Sequence, residues 1–82
     1  LEVYPNPFDD YTNIAFTTKE ASHVRVSMYN VFEELVYQSD EGILGSGKQL
    51  VKINGKDFEN GVYFIQLLVN EQVYVKKVAV TH

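Results

Sequence analysis

The sequence predicts an all-β domain, an immunoglobulin-like antiparallel β-sandwich of about seven short strands. Apolar residues recur at every second position, as in Ile14 and Phe16, in Val24, Val26 and Met28, and in Tyr63, Ile65 and Leu67. Turn-forming residues interrupt this alternation about every eight to twelve positions, the spacing expected of a sandwich. Nowhere does an apolar period of 3.6 run for long, so no helix beyond a single turn is expected. The absence of cysteine and tryptophan excludes the antibody-type Cys…Trp…Cys core.

The first strand is Leu1 to Tyr4, ended by Pro5-Asn6-Pro7-Phe8, where two prolines remove two backbone donors and fix φ twice. Asp9 and Asp10 follow in a loop; two adjacent carboxylates do not make a calcium site, which needs about six to eight oxygens. The second strand, Tyr11 to Thr17, buries Ile14 and Phe16. Lys19-Glu20-Ala21 turns the chain into Ser22 to Asn30, with Val24, Val26 and Met28 inward and His23, Arg25, Ser27 and Tyr29 outward. Asn30 is the residue of the next connection that best tolerates a left-handed position.

Glu34 to Gln38 reads as a short strand. Ser39 to Gly47, rich in Gly, Ser and acids, reads as the longest loop and the crossing between sheets, with Ile43 and Leu44 tucked under it. Gly45-Ser46-Gly47-Lys48 lacks the spacing and following helix of a phosphate loop. Gln49 to Ile53 forms the next strand, Asn54-Gly55 a turn, and Phe58 an apolar anchor before the sharp turn at Asn60-Gly61.

Val62 to Val69 is apolar on one face and, Gln66 apart, on the other, as a central strand should be. Tyr63, just past a corner, is placed to bond its hydroxyl to upstream backbone. The last strand changes phase: Val73 and Val75 share one, Val78 and Val80 the other, with Lys76-Lys77 between. A three-residue turn at Asn70 to Gln72 and a β-bulge at the lysines would keep both ammonium groups in solvent. The lysines would also guard an exposed strand against edge-to-edge pairing.

Eighty-two residues at 45% apolar and 13% aromatic make one small folded domain. Without cysteine there is no disulfide, thiolate metal site or thiol nucleophile. Two isolated histidines and scattered carboxylates offer no acid–base pair, so no catalytic residue, cofactor or metal is assigned, and the domain is expected not to be an enzyme. The net charge of −4 argues against nucleic acid as a partner. That charge is uneven: residues 1–47 carry eight acids against two bases, residues 48–82 five lysines against three acids. No apolar run is long enough to span a membrane.

Taken in order, Tyr4-Pro5-Asn6-Pro7-Phe8, the alternating strands through Tyr29-Asn30, Val51…Ile53…Phe58…Asn60-Gly61-Val62-Tyr63-Phe64 and Val75-Lys76-Lys77-Val78-Ala79-Val80 resemble the C-terminal sorting domain of Bacteroidetes cargo proteins exported by the type IX secretion system. Two connections depart from that pattern: Val31-Phe32-Glu33-Glu34 stands where the family usually turns on glycine, and Gly55 where it usually has an aliphatic residue.

The resemblance implies an address rather than a catalyst. The chain, which begins at Leu1, would be one domain at the C-terminal side of a larger secreted protein, with cargo N-terminal to it. It would pass the periplasm and reach the outer-membrane surface. A sortase-like peptidase would then cut at or before Leu1 and join the cargo to an anionic lipopolysaccharide. Lys76, Lys77, Val78, Ala79 and Val80 would contact the machinery, while Pro5, Asn6, Pro7, Gly61 and Tyr63 form the structural signature. Deleting Val78 to His82 would then block export from a domain that still folds. An exposed strand edge would also allow a dimer. The alternative is a carbohydrate-binding or adhesive surface module, with Tyr11, Tyr29, Tyr37 and Tyr74 as an aromatic platform.

Overall fold

The computed structural model describes residues 1–82. Seven strands, β1 (Glu2–Tyr4), β2 (Tyr11–Thr18), β3 (Ser22–Asn30), β4 (Leu35–Leu44), β5 (Gly47–Asn54), β6 (Gly61–Val69) and β7 (Gln72–Val80), contain all the regular structure. They form two antiparallel sheets, ordered β1-β2-β5 and β4-β3-β6-β7, which pack face to face as a β-sandwich. No helix is present, and none is therefore long and apolar enough to cross a membrane.

The core comes from the alternating positions. Ile14 and Phe16 of β2 and Val51 and Ile53 of β5 meet Val24, Val26 and Met28 of β3 and Ile65 and Leu67 of β6. Two threonines close the ends of β2, where the buried face meets backbone rather than side chains. Thr12 is fully buried and donates its hydroxyl to Pro5 O at 2.8 Å, and Thr18 donates to Gly45 O at 2.8 Å. A threonine can be buried there because its one hydroxyl finds an acceptor.

Four local expectations are corrected. Ser39–Leu44 is not loop but the second half of β4, so the crossing between sheets shrinks to Gly45 and Ser46. Its polar sequence belongs to an edge strand whose backbone is held by β3. Ile43 points to solvent, whereas Leu44 packs against the core. The β3–β4 ladder carries its irregularities at Val24/Arg25 and Met28/Tyr29. At the first, Gly42 adopts φ 73° and donates its N–H to Asp40 Oδ1 at 2.8 Å. That bond, with one from His23, holds the Asp40 carboxyl below its ordinary range.

In the β3–β4 connection the left-handed residue is Glu33, at φ 64°, not Asn30. Asn30 works through its side chain instead: its Oδ1 accepts from Phe32 N at 2.9 Å and Glu34 N at 3.0 Å. The β6–β7 turn contains two residues rather than three, since Val69 pairs with Gln72. Asn70 takes φ 53° there and is stitched to β3, donating its N–H to His23 O and accepting from His23 N on Oδ1.

The shorter turn shifts the whole β6–β7 register, and the bulge at the lysines is absent. The ladder runs unbroken from Val69↔Gln72 to Gly61↔Val80 and places Lys76 opposite Ile65 and Lys77 opposite Phe64. Lys76 therefore lies on the inward-facing phase and is nevertheless exposed. Gln72 and Tyr74, in the same phase, are exposed too, because the three-stranded sheet does not extend across this end of β7. A bulge was needed only if the whole of β7 met a core.

Candidate functional site

The second half of β7 is clasped by the segment after β1. Between Tyr4 and Phe8 the chain leaves the three-stranded sheet, with cis bonds at Tyr4-Pro5 and Asn6-Pro7, and Phe8 joins β7 in a parallel bridge to Val80. Phe8 N donates to Ala79 O at 2.9 Å, and Thr81 N donates to Phe8 O at 2.9 Å. Asn6 extends the pairing with its side chain, its Oδ1 accepting from Ala79 N at 3.0 Å and its Nδ2 donating to Lys77 O at 3.2 Å. An amide side chain can stand in here for a missing strand residue because it carries both a donor and an acceptor.

The clasp divides β7 into two parts. Val78 and Val80 are each only 2% exposed and belong to the core, while Ala79 is half-buried with both backbone groups paired. Upstream, the edge is open. In an antiparallel strand alternate residues turn their backbone groups to the same side. With Ala79 directed away from β6, Val75 and Val73 also present N–H and C=O to solvent. Their side chains lie on the outer face, 58% and 52% exposed, in line with Lys77.

Lys76 and Lys77 stand at the junction of the closed and open parts. As neighbours on a pleated strand they project to opposite faces. The three ion pairs are His23–Asp40, Arg25–Asp40 and His82–Asp9, so neither lysine is neutralised within the domain. On a chain of net charge −4 they form a two-sided cationic point.

The clasped end of the sandwich is further fastened by aromatics and by His82. Tyr63 donates its hydroxyl to Glu59 O at 2.7 Å, closing the corner before β6, where Gly61 takes φ 157°. Phe58 packs edge-on against Tyr37, with centroids 6.1 Å apart, and tilted against Tyr63 at 5.8 Å. His82 had no legible role in the sequence. Its Nδ1 lies 2.5 Å from Asp9 Oδ1, its Nε2 2.7 Å from Phe58 O, and its backbone N–H donates to Asn60 Oδ1 at 2.8 Å. Both ring nitrogens face acceptors, which favours the imidazolium; the Asp9 carboxylate foremost, then Phe58 O, raises the His82 pKa.

The four tyrosines of the adhesive reading do not assemble. Tyr11 lies on β2 of the smaller sheet beneath the Lys52 ammonium, 4.5 Å from its ring centroid. Tyr37 is half-buried against Phe58, Tyr29 faces outward from β3, and Tyr74 is on β7. No cluster of three or more His, Cys, Asp or Glu suited to a metal is formed.

Fold and surface define a small β-sandwich that presents its last strand, half clasped and half open. The model of the secretion system C-terminal sorting domain matches residues 2–81. The chain belongs to that family: it is a type IX secretion C-terminal sorting signal, which directs export by way of the periplasm to the outer membrane or cell surface. Such a domain is an address and not a catalyst, and it implies contact with the secretion machinery and an N-terminal cargo. No curated protein and no solved structure gives a significant match.

Proposed function

We propose that the machinery reads this domain through β7, with Lys76 and Lys77 as the charged contacts and Val78, Ala79 and Val80 as the anchor that fixes them. The observation that carries this reading is the pair of unpaired lysines beside the open backbone edge at Val73 and Val75. A partner strand added there gains main-chain hydrogen bonds, and an acidic rim on it would select the cationic point. The same edge is where two copies of the domain would pair. In this reading residues 1–82 are one sorting domain of a larger secreted polypeptide. A sortase-like peptidase cuts at or before Leu1 and joins the cargo to an anionic lipopolysaccharide.

The test is a cargo fused to the domain carrying Lys76→Ala and Lys77→Ala together. Both side chains are exposed, so the domain should keep its thermal midpoint while the cargo accumulates in the periplasm. Normal surface delivery would refute the reading. Deleting Val78 to His82 is not an equivalent test. It removes two buried valines, worth about 1.5–3 kcal/mol each, and a domain this small would not stay folded.

A further inference from the structure

A cleft of about 1000 Å³ opens where β7 overhangs the smaller sheet. Its walls include Leu1, Phe16 and Thr18 on one side and Leu67, Val69 and Tyr74 on the other. One edge of this cleft is backbone. β1 pairs with β2 only at Asn13 to Ala15, whereas β5 pairs along β2 from Tyr11 to Thr18. On the β1 side, β2 therefore has no partner from Phe16 to Thr18. Unpaired strand edges beside half-buried apolar side chains are sites where another strand adds.

We propose that the residues immediately upstream of Leu1, on the cargo side, extend β1 along this edge and fill the cleft. The direction is already set. β1 runs antiparallel to β2 with Glu2 opposite Ala15, so continuing the register puts Leu1 opposite Phe16 and the residue two places upstream of Leu1 opposite Thr18. Val3 packs against the core, and alternation gives that upstream residue the same inward phase. It faces the gap beneath Leu67 and Tyr74, which calls for an apolar, β-branched or aromatic side chain. Leu1 is 39% and Tyr74 41% exposed without it. The occupant is a segment of the same polypeptide because the edge is collinear with β1 and meets the chain where it enters the domain. The inference rests on the sorting-domain reading only in requiring cargo upstream.

Hydrogen exchange of the parent polypeptide, cargo included, tests it. The Thr17 amide, which alone on this edge points away from β5, should exchange about tenfold more slowly, or slower still, than in the chain that starts at Leu1. Proline placed immediately upstream of Leu1 in the parent, opposite Thr17, should abolish that protection, since it cannot donate to a ladder. Equal rates in the two chains would overturn the proposal, as would protection that survives the proline or that rises with protein concentration, the mark of a second copy. Export is scored separately. An exported chain with no protected edge sinks this inference alone, and a protected chain that ignores Lys76 and Lys77 sinks the recognition reading alone.

Discussion

Asn6 holds the backbone of Ala79: its side-chain oxygen accepts the Ala79 N–H at 3.0 Å across 73 positions of sequence. The same amide donates to Lys77 O, so one side chain seals the strand edge just where the exposed lysines end. Asn6→Ala should cost about 1–2 kcal/mol, two exposed hydrogen bonds at ordinary worth. Exchange at the Ala79 amide should accelerate more than at core amides. Asn6→Asp, which keeps the acceptor and loses the donor, should fall between. A variant as stable as the parent would show the clasp to be idle.

Lys76 and Lys77 point to opposite faces, so single substitutions resolve which face is read. Lys77 shares the outer face with Val73 and Val75, which form the larger exposed apolar surface. Lys77→Ala is expected to reduce export more than Lys76→Ala, measured as periplasmic retention of a fused cargo. Equal loss would assign recognition to charge alone rather than to a face.

The Asp9–His82 pair makes the clasped end sensitive to pH. The folded pKa of His82 is raised, so its stabilising contribution is complete below the unfolded histidine value, about 6.5, and disappears as pH rises through the folded value. The thermal midpoint should fall between about pH 6 and pH 8 by more than in Asp9→Asn, whose profile should be flatter. An NMR titration of His82 supplies the direct check.

Two glycines of similar appearance should respond in opposite ways. A Cβ on Gly55 would stand 2.6 Å from Asp9 O and 2.7 Å from a Phe8 ring carbon, so Gly55→Ala should destabilise by about 1–3 kcal/mol. A Cβ on Gly45 meets nothing within 4 Å, and Gly45→Ala should be neutral or stabilising by up to about 1 kcal/mol. Denaturant midpoints decide both.

Glu33 occupies a left-handed position at φ 64° in the connection where the family usually has glycine. Glu33→Gly removes the Cβ penalty at some cost in chain entropy and should stabilise by about 0.5 kcal/mol. A loss of stability would mean that Asn30 and Glu34 fix this turn regardless of what φ 64° costs.

Period-2 alternation made β2, β3, β5 and β6 legible, because each buries one face and the residues that do so are apolar. The second half of β4 was hidden because an edge strand can be polar: Ser39, Asp40 and Glu41 hold no core position and are strand only because β3 offers them a ladder. The phase change in β7 was visible but misread. Val73 and Val75 look like core residues, yet they lie on the outer face, and the regular register follows once the facing sheet is known to be three strands wide. The clasp was the least legible part, since nothing local to Asn6 or His82 announces a partner more than twenty or seventy residues away.

The parallel bridge between Phe8 and Val80 has a consequence for synthesis. Phe8 cannot satisfy its backbone groups, and Asn6 cannot find its partners, until Ala79 and Thr81 have left the ribosome. The domain therefore cannot close as its chain emerges. A cargo N-terminal to it is fully synthesised before the address behind it takes shape.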